Sequence, residues 1–316
     1  MKVLSDILKE YKYELVNGSE QTSISGIAFD SRKVQEKTLF VAIKGAETDG
    51  HRFINNAIKA GASAIICEDA SGIKEKNATV IRVQNSRDAL AWLSAAWYNY
   101  PSDTMKVIGI TGTNGKTTTA TMLYNVFREL GYPCGLFSTV KILINGQHIN
   151  ATHTTPDPLA IQGTMAEMRD AGCEYCFMEV SSHAVDQDRV KYIDFASGVF
   201  TNITQDHLDY HKTFKNYIEA KQKFFTHLSK DAKAIYNADD KNGSIMVQNT
   251  KAKRISYSLK KPSDHKAKII KKEMDGMMLQ LEQTQMWTML TGLFNAYNLM
   301  AVYSTAIQFY NDSQEL

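Results

Sequence analysis

Ile110-Thr111-Gly112-Thr113-Asn114-Gly115-Lys116-Thr117-Thr118 lies between two different hydrophobic patterns. Residues 105–110 form a short apolar run with the look of a buried strand, and residues 116–130 repeat apolar side chains at helical spacing. A strand that passes through two glycines into a helix leaves backbone N–H groups pointing inward at the positive end of that helix. Such a turn suits phosphate oxygens. On this reading Gly112, Thr113, Asn114, Gly115, Lys116, Thr117 and Thr118 form a nucleotide-phosphate loop. Lys116 reaches the β- and γ-phosphates, and the Thr117 hydroxyl ligates Mg²⁺. The general phosphate-loop pattern needs a glycine five positions before Gly115. Ile110 stands there, so this loop is a shorter variant.

Upstream, strands are expected at 24–29, 39–43, 64–67 and 80–83, with helices at 52–60 and 87–98. They describe a small α/β domain over residues 1–100. Pro101-Ser102-Asp103 then breaks the pattern as a linker. Downstream of the loop, strands are expected at 175–180, 196–200 and 234–237, and helices at 159–171, 214–228 and 295–309. The alternation predicts a second α/β domain over 101–316, a P-loop-type fold with a mostly parallel sheet flanked by helices. Asn145-Gly146 and Asp275-Gly276 read as hairpin turns, and the Lys-rich stretch 260–272 as a solvated surface.

The bulk composition narrows the function classes. Lys plus Arg number 36 against 34 Asp plus Glu, a net charge of +2, which gives no reason to expect nucleic acid or an acidic membrane as partner. The N-terminus lacks the apolar core of a signal peptide, and no apolar run approaches the ~20 residues of a membrane span. A cytoplasmic location is the expectation. Cys173 and Cys176 form a C-x-x-C, but Cys176 enters the apolar run Cys176-Phe177-Met178-Glu179-Val180 and no second such pair exists. Buried structural thiols are expected rather than a metal or redox pair.

Three further features carry chemistry. In the predicted helix 214–228, Lys221 shares a face with Tyr217, Ile218, Phe224 and Phe225, so a cation sits on an apolar stripe. Either its amine reaches out to solvent, or it is paired or modified. Met178-Glu179-Val180-Ser181-Ser182-His183 closes a predicted strand, where open α/β sheets gather their ligands. Glu179 is a hard-cation ligand or a structural carboxylate paired to a neighbour. Asp206-His207-Leu208-Asp209-Tyr210-His211 packs two His and two Asp into six residues, a density that suits a metal or acid–base site.

The short loop Gly112-Thr113-Asn114-Gly115-Lys116-Thr117 is characteristic of the superfamily of Mur ligases and folylpolyglutamate synthases. The run Asp30-Ser31-Arg32, Leu39-Phe40-Val41-Ala42, Gly45, Asp49-Gly50-His51 and Gly61-Ala62 resembles the first domain of Mur ligases. Ser181-Ser182-His183-Ala184, Asp186-Gln187-Asp188-Arg189-Val190 and Asp206–His211 are similar to the branch that adds the third amino acid to the muramyl peptide. The similarity runs from about residue 23 to 302.

This resemblance implies an ATP-dependent ligase of peptidoglycan synthesis. It would join meso-diaminopimelate or L-lysine to UDP-MurNAc-L-Ala-D-Glu through an acyl phosphate. It implies that Phe29, Ser31 and the turn Ala46-Glu47-Thr48 contact UDP, and that His153, Thr154, Thr155, Ser181, Gln187 and Arg189 hold the muramyl dipeptide. The family often has Asn where His153 stands. Asn295 and Asn298, in Gly292-Leu293-Phe294-Asn295-Ala296-Tyr297-Asn298, abut the adenine; Asn295 also reads as a helix N-cap. Ala220-Lys221-Gln222-Lys223-Phe224-Phe225 matches the lysine that CO₂ carbamylates in the family. Glu179, His207 and the Lys221 carbamate would then hold a second Mg²⁺, and Lys116, Lys221 and His207 are the expected catalytic residues. The family implies a monomer. It also implies a C-terminal amino-acid-binding domain, expected to be absent here, so that this chain alone would not turn over. Rival readings are a UDP-sugar and ATP binding module, the fourth-residue Mur ligase, and folylpolyglutamate synthase.

Overall fold

The computed structural model describes residues 1–45, 48–149, 156–206, 208–282 and 284–310. They form two compact units. The first is Met1–Pro101 with Asp157–Gly163 and Gln187–Tyr192; the second is Ser102–Pro156, Thr164–Asp186 and Ile193–Leu316.

The first unit runs β1 (Lys2–Val3), α1 (Leu4–Leu8), β2 (Glu14–Asn17), β3 (Ser23–Ile24) and β4 (Gly26–Ala28). It continues through β5 (Thr38–Val41), α2 (Ile54–Lys59), β6 (Ala62–Cys67), β7 (Thr79–Arg82) and α3 (Ser86–Trp97). Its main sheet has the order β2-β7-β6-β5-β4, with β2 antiparallel and the rest parallel. Because side chains alternate along a strand, Leu39, Val41, Ala64, Ile66 and Ile81 face one core with α1 and α3. Phe40, Ala42, Ile65, Cys67 and Val80 face another with α2. The strand expected at 24–29 is broken at Ser25, whose N–H donates to Lys37 O (2.8 Å) instead of continuing one ladder.

The second unit opens with β8 (Lys106–Thr111), α4 (Lys116–Glu129), β9 (Cys134–Phe137), β10 (Ile142–Ile144) and β11 (Gln147–Ile149). After α5 (Pro158–Asp170) come β12 (Tyr175–Glu179), α6 (Ser182–Asp186), β13 (Phe195–Phe200), α7 (Leu208–His211) and α8 (Phe214–His227). The rest is β14 (Lys233–Asn237), α9 (Gly243–Met246), β15 (Lys253–Ser258), β16 (His265–Lys272), β17 (Met277–Leu281), β18 (Thr284–Thr288) and α10 (Leu293–Ala306). These strands make one sheet in the order β11-β10-β9-β12-β8-β13-β14-β15-β16-β17-β18. From β9 to β16 every pairing is parallel, and antiparallel hairpins finish both edges.

The expected hairpins are present. Asn145 (φ 46°) and Gly146 (φ 93°) make a two-residue turn between β10 and β11. Asp275-Gly276 lies in a four-residue loop between β16 and β17, closed by Glu273 N donating to Gly276 O (2.9 Å).

Chain order explains where a ligand belongs. After β8 the chain crosses to β9 and β12 on one side, then to β13 on the other. The crevice beyond the carboxyl ends of β12, β8 and β13 is thus the switch point of the sheet. One face of β8 packs Ile108 and Ile110 against Leu123 and Phe127 of α4 and Met300 of α10. On the other face α8 lies close, because Gly109 and Gly198 offer no Cβ where the rings of Phe224 and Phe225 sit. Thr213 caps α8 by accepting from Asn216 N (3.1 Å). That close packing fixes Lys221 beneath the loop that follows β8.

Candidate nucleotide and peptide-substrate sites

The loop after β8 is held from the next strand. Thr113 N donates to Asn202 O (2.8 Å), and Asn114 N to Asn202 Oδ1 (3.0 Å). The carbonyl of Asn114 accepts from Thr201 Oγ1 (2.7 Å) and Asn202 Nδ2 (2.9 Å). A Cβ on Gly112 would collide with Thr201 Oγ1, which is why that position is glycine. Gly115 has φ 86° and presses on Asn298 Oδ1 of α10, so it too admits no side chain. α4 then starts at Lys116 with no side chain capping it. Its first amides, Thr117 and Thr118 included, keep the orphan donors of a helix N-terminus.

Two lysines meet under this loop. Lys116 Nζ folds back to donate to Gly112 O (3.0 Å) and Thr113 O (2.9 Å). Lys221 Nζ donates to Gly112 O (3.0 Å) and lies 4.8 Å from the centre of the Tyr217 ring. Lys221 is only 1% exposed, which rules out an amine that reaches solvent. Burial lowers the pKa of Lys116, while the Glu179 and Asp206 carboxylates pull it back up. Burial also drives Lys221 well below the ordinary lysine range; the Lys116 cation pushes the same way and Asp206 opposes.

Glu179 ends β12 fully buried, and accepts from Thr139 N (2.7 Å) and Thr139 Oγ1 (3.1 Å). It is therefore paired to a neighbour and close enough to act on Lys116. Ser181 Oγ accepts from Ala184 N (3.1 Å) to start α6. Ser182 Oγ meets the buried His211 at Nε2 (2.9 Å), which ties α6 to α7. Among the described residues no three His, Cys, Asp or Glu side chains are grouped to hold a metal ion. His207 lies outside the described residues, as do Ala46, Glu47, His153, Thr154 and Thr155.

Beside the loop opens a cleft of about 540 Å³, lined by Asn114, Gly115, Asn202, Asp240, Phe294 and Asn298 among others. Asp239, also in its wall, would be raised by burial. The N–H groups of Leu259, Lys261 and Lys260 and the Tyr297 hydroxyl (3.0 Å) outweigh that and hold it below the usual carboxylate range. Asn295 sits in the first turn of α10 and does not cap it. Gly292 (φ 90°) is the cap residue, and Asn295 Nδ2 donates back to Thr291 O (2.9 Å). Its Oδ1 accepts from Asn298 Nδ2 (3.3 Å).

The first unit carries further candidate residues. Phe29 is half-buried against the core of β5–β7. Ser31 opens a short 3₁₀ turn capped by Asp30, which accepts from Arg32 N (3.0 Å) and from the Arg32 guanidinium. That pairing lowers the Asp30 carboxyl to about 2. Thr48 O accepts from Gly45 N (3.0 Å). Gln187 Oε1 accepts from both Arg189 Nε (3.1 Å) and Nη2 (2.6 Å), so these two form one surface.

From sequence, Thr201, Asn202, Asp239 and Asp240 had no site role, Tyr217 was only an apolar neighbour of Lys221, and Phe294 and Tyr297 were only part of the segment around Asn295 and Asn298. Thr201-Asn202 follows a strand next to the loop strand, and only the pairing of β8 with β13 reveals that it grips the loop.

The Mur ligase middle domain matches residues 110–306, and the Mur ligase family catalytic domain matches residues 23–98. The chain belongs to the Mur ligase family. This Mur ligase chain is 46% identical over 314 residues to the UDP-N-acetylmuramoyl-L-alanyl-D-glutamate–2,6-diaminopimelate ligase of Cytophaga hutchinsonii, covering 99% of the chain and 65% of that relative. It is 45% identical to the same-named enzyme of Parabacteroides distasonis, with 99% and 64% covered. A solved structure of a ligase of that name superposes with TM-score 0.86 at 25% identity, over 99% of the chain and 65% of its own. The Mur ligase chain thus spans just under two thirds of the length of these relatives. No helix among its described residues is long and apolar enough to cross a membrane.

Proposed function

We propose that this chain carries the UDP-muramyl-dipeptide and ATP sites of a ligase that joins 2,6-diaminopimelate to UDP-MurNAc-L-Ala-D-Glu. The observation that carries this reading is the uncapped start of α4 beneath a rigid Gly112–Gly115 turn, with Lys116, Lys221 and Glu179 converging on it. Residues 1–100 would hold UDP through Phe29, Ser31 and the turn at Ala46, Glu47 and Thr48. Residues 101–316 would hold ATP. The names of the relatives support diaminopimelate as third residue, and the expected setting is a cytoplasmic monomer.

In the proposed reaction a free carboxylate of the D-Glu residue attacks the γ-phosphorus of ATP, and ADP leaves. An amine of diaminopimelate then attacks the acyl phosphate carbon, expels phosphate and loses a proton. The first step brings two anions together, so positive charge at the phosphates lowers its barrier most. Lys116 would leave the Gly112 and Thr113 carbonyls to reach the β- and γ-phosphates, and the amides at the start of α4 would hold the same oxygens. The cleft lined by Asn114, Phe294 and Asn298 has room for the nucleoside. The donor set fits Mg²⁺: Thr117 at the loop, and Glu179, His207 and carbamylated Lys221 at a second position. Bound there, Mg²⁺ would screen the charge that builds up between carboxylate and phosphate. Carbamylation needs a neutral amine, which burial of Lys221 favours, and would turn that amine into an anionic ligand.

Calorimetry tests this with the chain as it stands. Binding of UDP-MurNAc-L-Ala-D-Glu in preference to UDP-MurNAc-tripeptide and to folate is expected, as is Mg²⁺-dependent binding of ATP. Preference for folate, or no binding of any muramyl nucleotide, overturns the reading.

A further inference from the structure

Residues 187–192 group with the first unit, although the chain on both sides of them belongs to the second. Within the first unit their attachment centres on Asp88, in the first turn of α3. Its Oδ1 accepts from Lys191 Nζ (2.5 Å) and Tyr192 OH (2.9 Å), and its Oδ2 accepts from Tyr11 OH (2.8 Å). The carboxylate is mostly covered, with 16% of its side chain exposed. Trp92, one turn along α3, stands edge-on to Tyr192 (5.1 Å between centroids, 90°) and tilted to Tyr11 (5.7 Å). The Trp92 indole N–H is itself fixed on Ile7 O (3.0 Å). Three donors on one half-sheltered carboxylate, backed by an aromatic box, form a stronger attachment than an exposed ion pair.

The other end of the segment is held in an uncommon shape. Asp188 has φ 57°, a left-handed conformation that a non-glycine residue adopts at some cost. That kink lets the side chains of Gln187 and Arg189 meet, with Arg189 Nε and Nη2 donating to Gln187 Oε1. Lys191 N then donates to Asp188 O (3.2 Å), closing a turn that leads straight into the Asp88 anchor.

We propose that Asp88, with Lys191 and Tyr192, is the positioning group that holds the Gln187–Arg189 pair preformed for an anionic peptide. The proposal rests on Gln187 and Arg189 contacting the dipeptide arm of the substrate. None of the three anchoring residues touches the ligand itself. Their loss changes recognition of the peptide arm and leaves recognition of the nucleotide end alone.

The test uses the whole chain with Asp88→Ala and, as a single-atom deletion, Tyr192→Phe. Calorimetry compares UDP-MurNAc-L-Ala-D-Glu with UDP-MurNAc, and amide hydrogen exchange follows residues 187–192 without ligand. Asp88→Ala is expected to weaken the dipeptide ligand at least tenfold with UDP-MurNAc affinity unchanged, and to speed exchange in 187–192 but not in β5–β7. Tyr192→Phe follows in the same direction with a smaller effect. Equal losses for both ligands, or unchanged exchange in 187–192, overturn the proposal. If the wild-type chain binds the two ligands equally, the peptide-contact reading fails, and the role of Asp88 in recognition fails with it. Faster exchange would then still show a structural anchor. If Asp88→Ala does not fold, Tyr192→Phe decides alone.

Discussion

Lys116 and Lys221 donate to the same carbonyl, that of Gly112, each at 3.0 Å. Charged together, the two amines would repel, and burial lowers the pKa of each. Under the proposed function the two lysines have different partners. A nucleotide would draw Lys116 away, and CO₂ would convert Lys221 to an anion.

Replacing Lys116 with Ala would then remove the proposed charge-assisted phosphate contact. The expected loss is about 1.5–3 kcal/mol of ATP affinity, roughly a 10- to 150-fold rise in Kd. Calorimetry with Mg·ATP checks it, and an unchanged Kd would show that Lys116 stays on the loop carbonyls.

Lys221→Met removes a buried ionisable amine and should change how stability depends on pH. The folded-state pKa of Lys221 lies below its unfolded value, so between the two the unfolded chain holds the extra proton. Stability of the unmodified wild type should rise with pH across that window and be lowest below it. Lys221→Met should lack this component and be the more stable protein at neutral pH when CO₂ is excluded. Urea titrations at several pH values up to about 10.4, the unperturbed lysine pKa, decide it. With ¹³C-bicarbonate, a carbamate carbon signal present in wild type and missing from Lys221→Met is expected.

Gly115→Ala combines a left-handed backbone with a collision at Asn298 Oδ1. The backbone part alone costs about 1–2 kcal/mol, and the displaced Asn298 should also weaken ATP binding. Thermal unfolding and ATP calorimetry read the two effects separately. Wild-type values in both would mean that the loop and α10 do not depend on each other.

Glu179→Gln keeps an oxygen for Thr139 N but loses the negative charge. Folding stability should change by less than about 1.5 kcal/mol, whereas the Mg²⁺ concentration that supports ATP binding should rise several-fold. A Mg²⁺ titration with an unshifted midpoint would assign Glu179 to structure alone.

The strand–loop–helix unit of β8 and α4 was legible because its hydrophobic period changes from two to 3.6 across a glycine turn. Lys221 was legible too, since one charge among Tyr217, Phe224 and Phe225 breaks an otherwise apolar face. The strands β15 and β18 were not, and of the β16–β17 hairpin only the turn at Asp275-Gly276 was. Ala267 and Ile269 of β16 turn inward, but the lysines at 266, 268, 271 and 272 hide that alternation. Nor could the grip of Thr201 and Asn202 on the loop be read, because it depends on which strand pairs with β8. The contact between Asp88 and Lys191 spans about a hundred residues of sequence, with no local pattern at either end.

All four cysteines are free and buried, Cys67 in the first unit and Cys134, Cys173 and Cys176 in the second. Burial pushes the Cys67 thiol up to about 11 and Cys134 up to about 12, so almost no thiolate is available at neutral pH. A thiol reagent can react only when the surrounding sheet opens. Each unit thus contains its own chemical clock, and the rates at which these sulfurs are labelled would time the breathing of the two units independently in one unaltered protein.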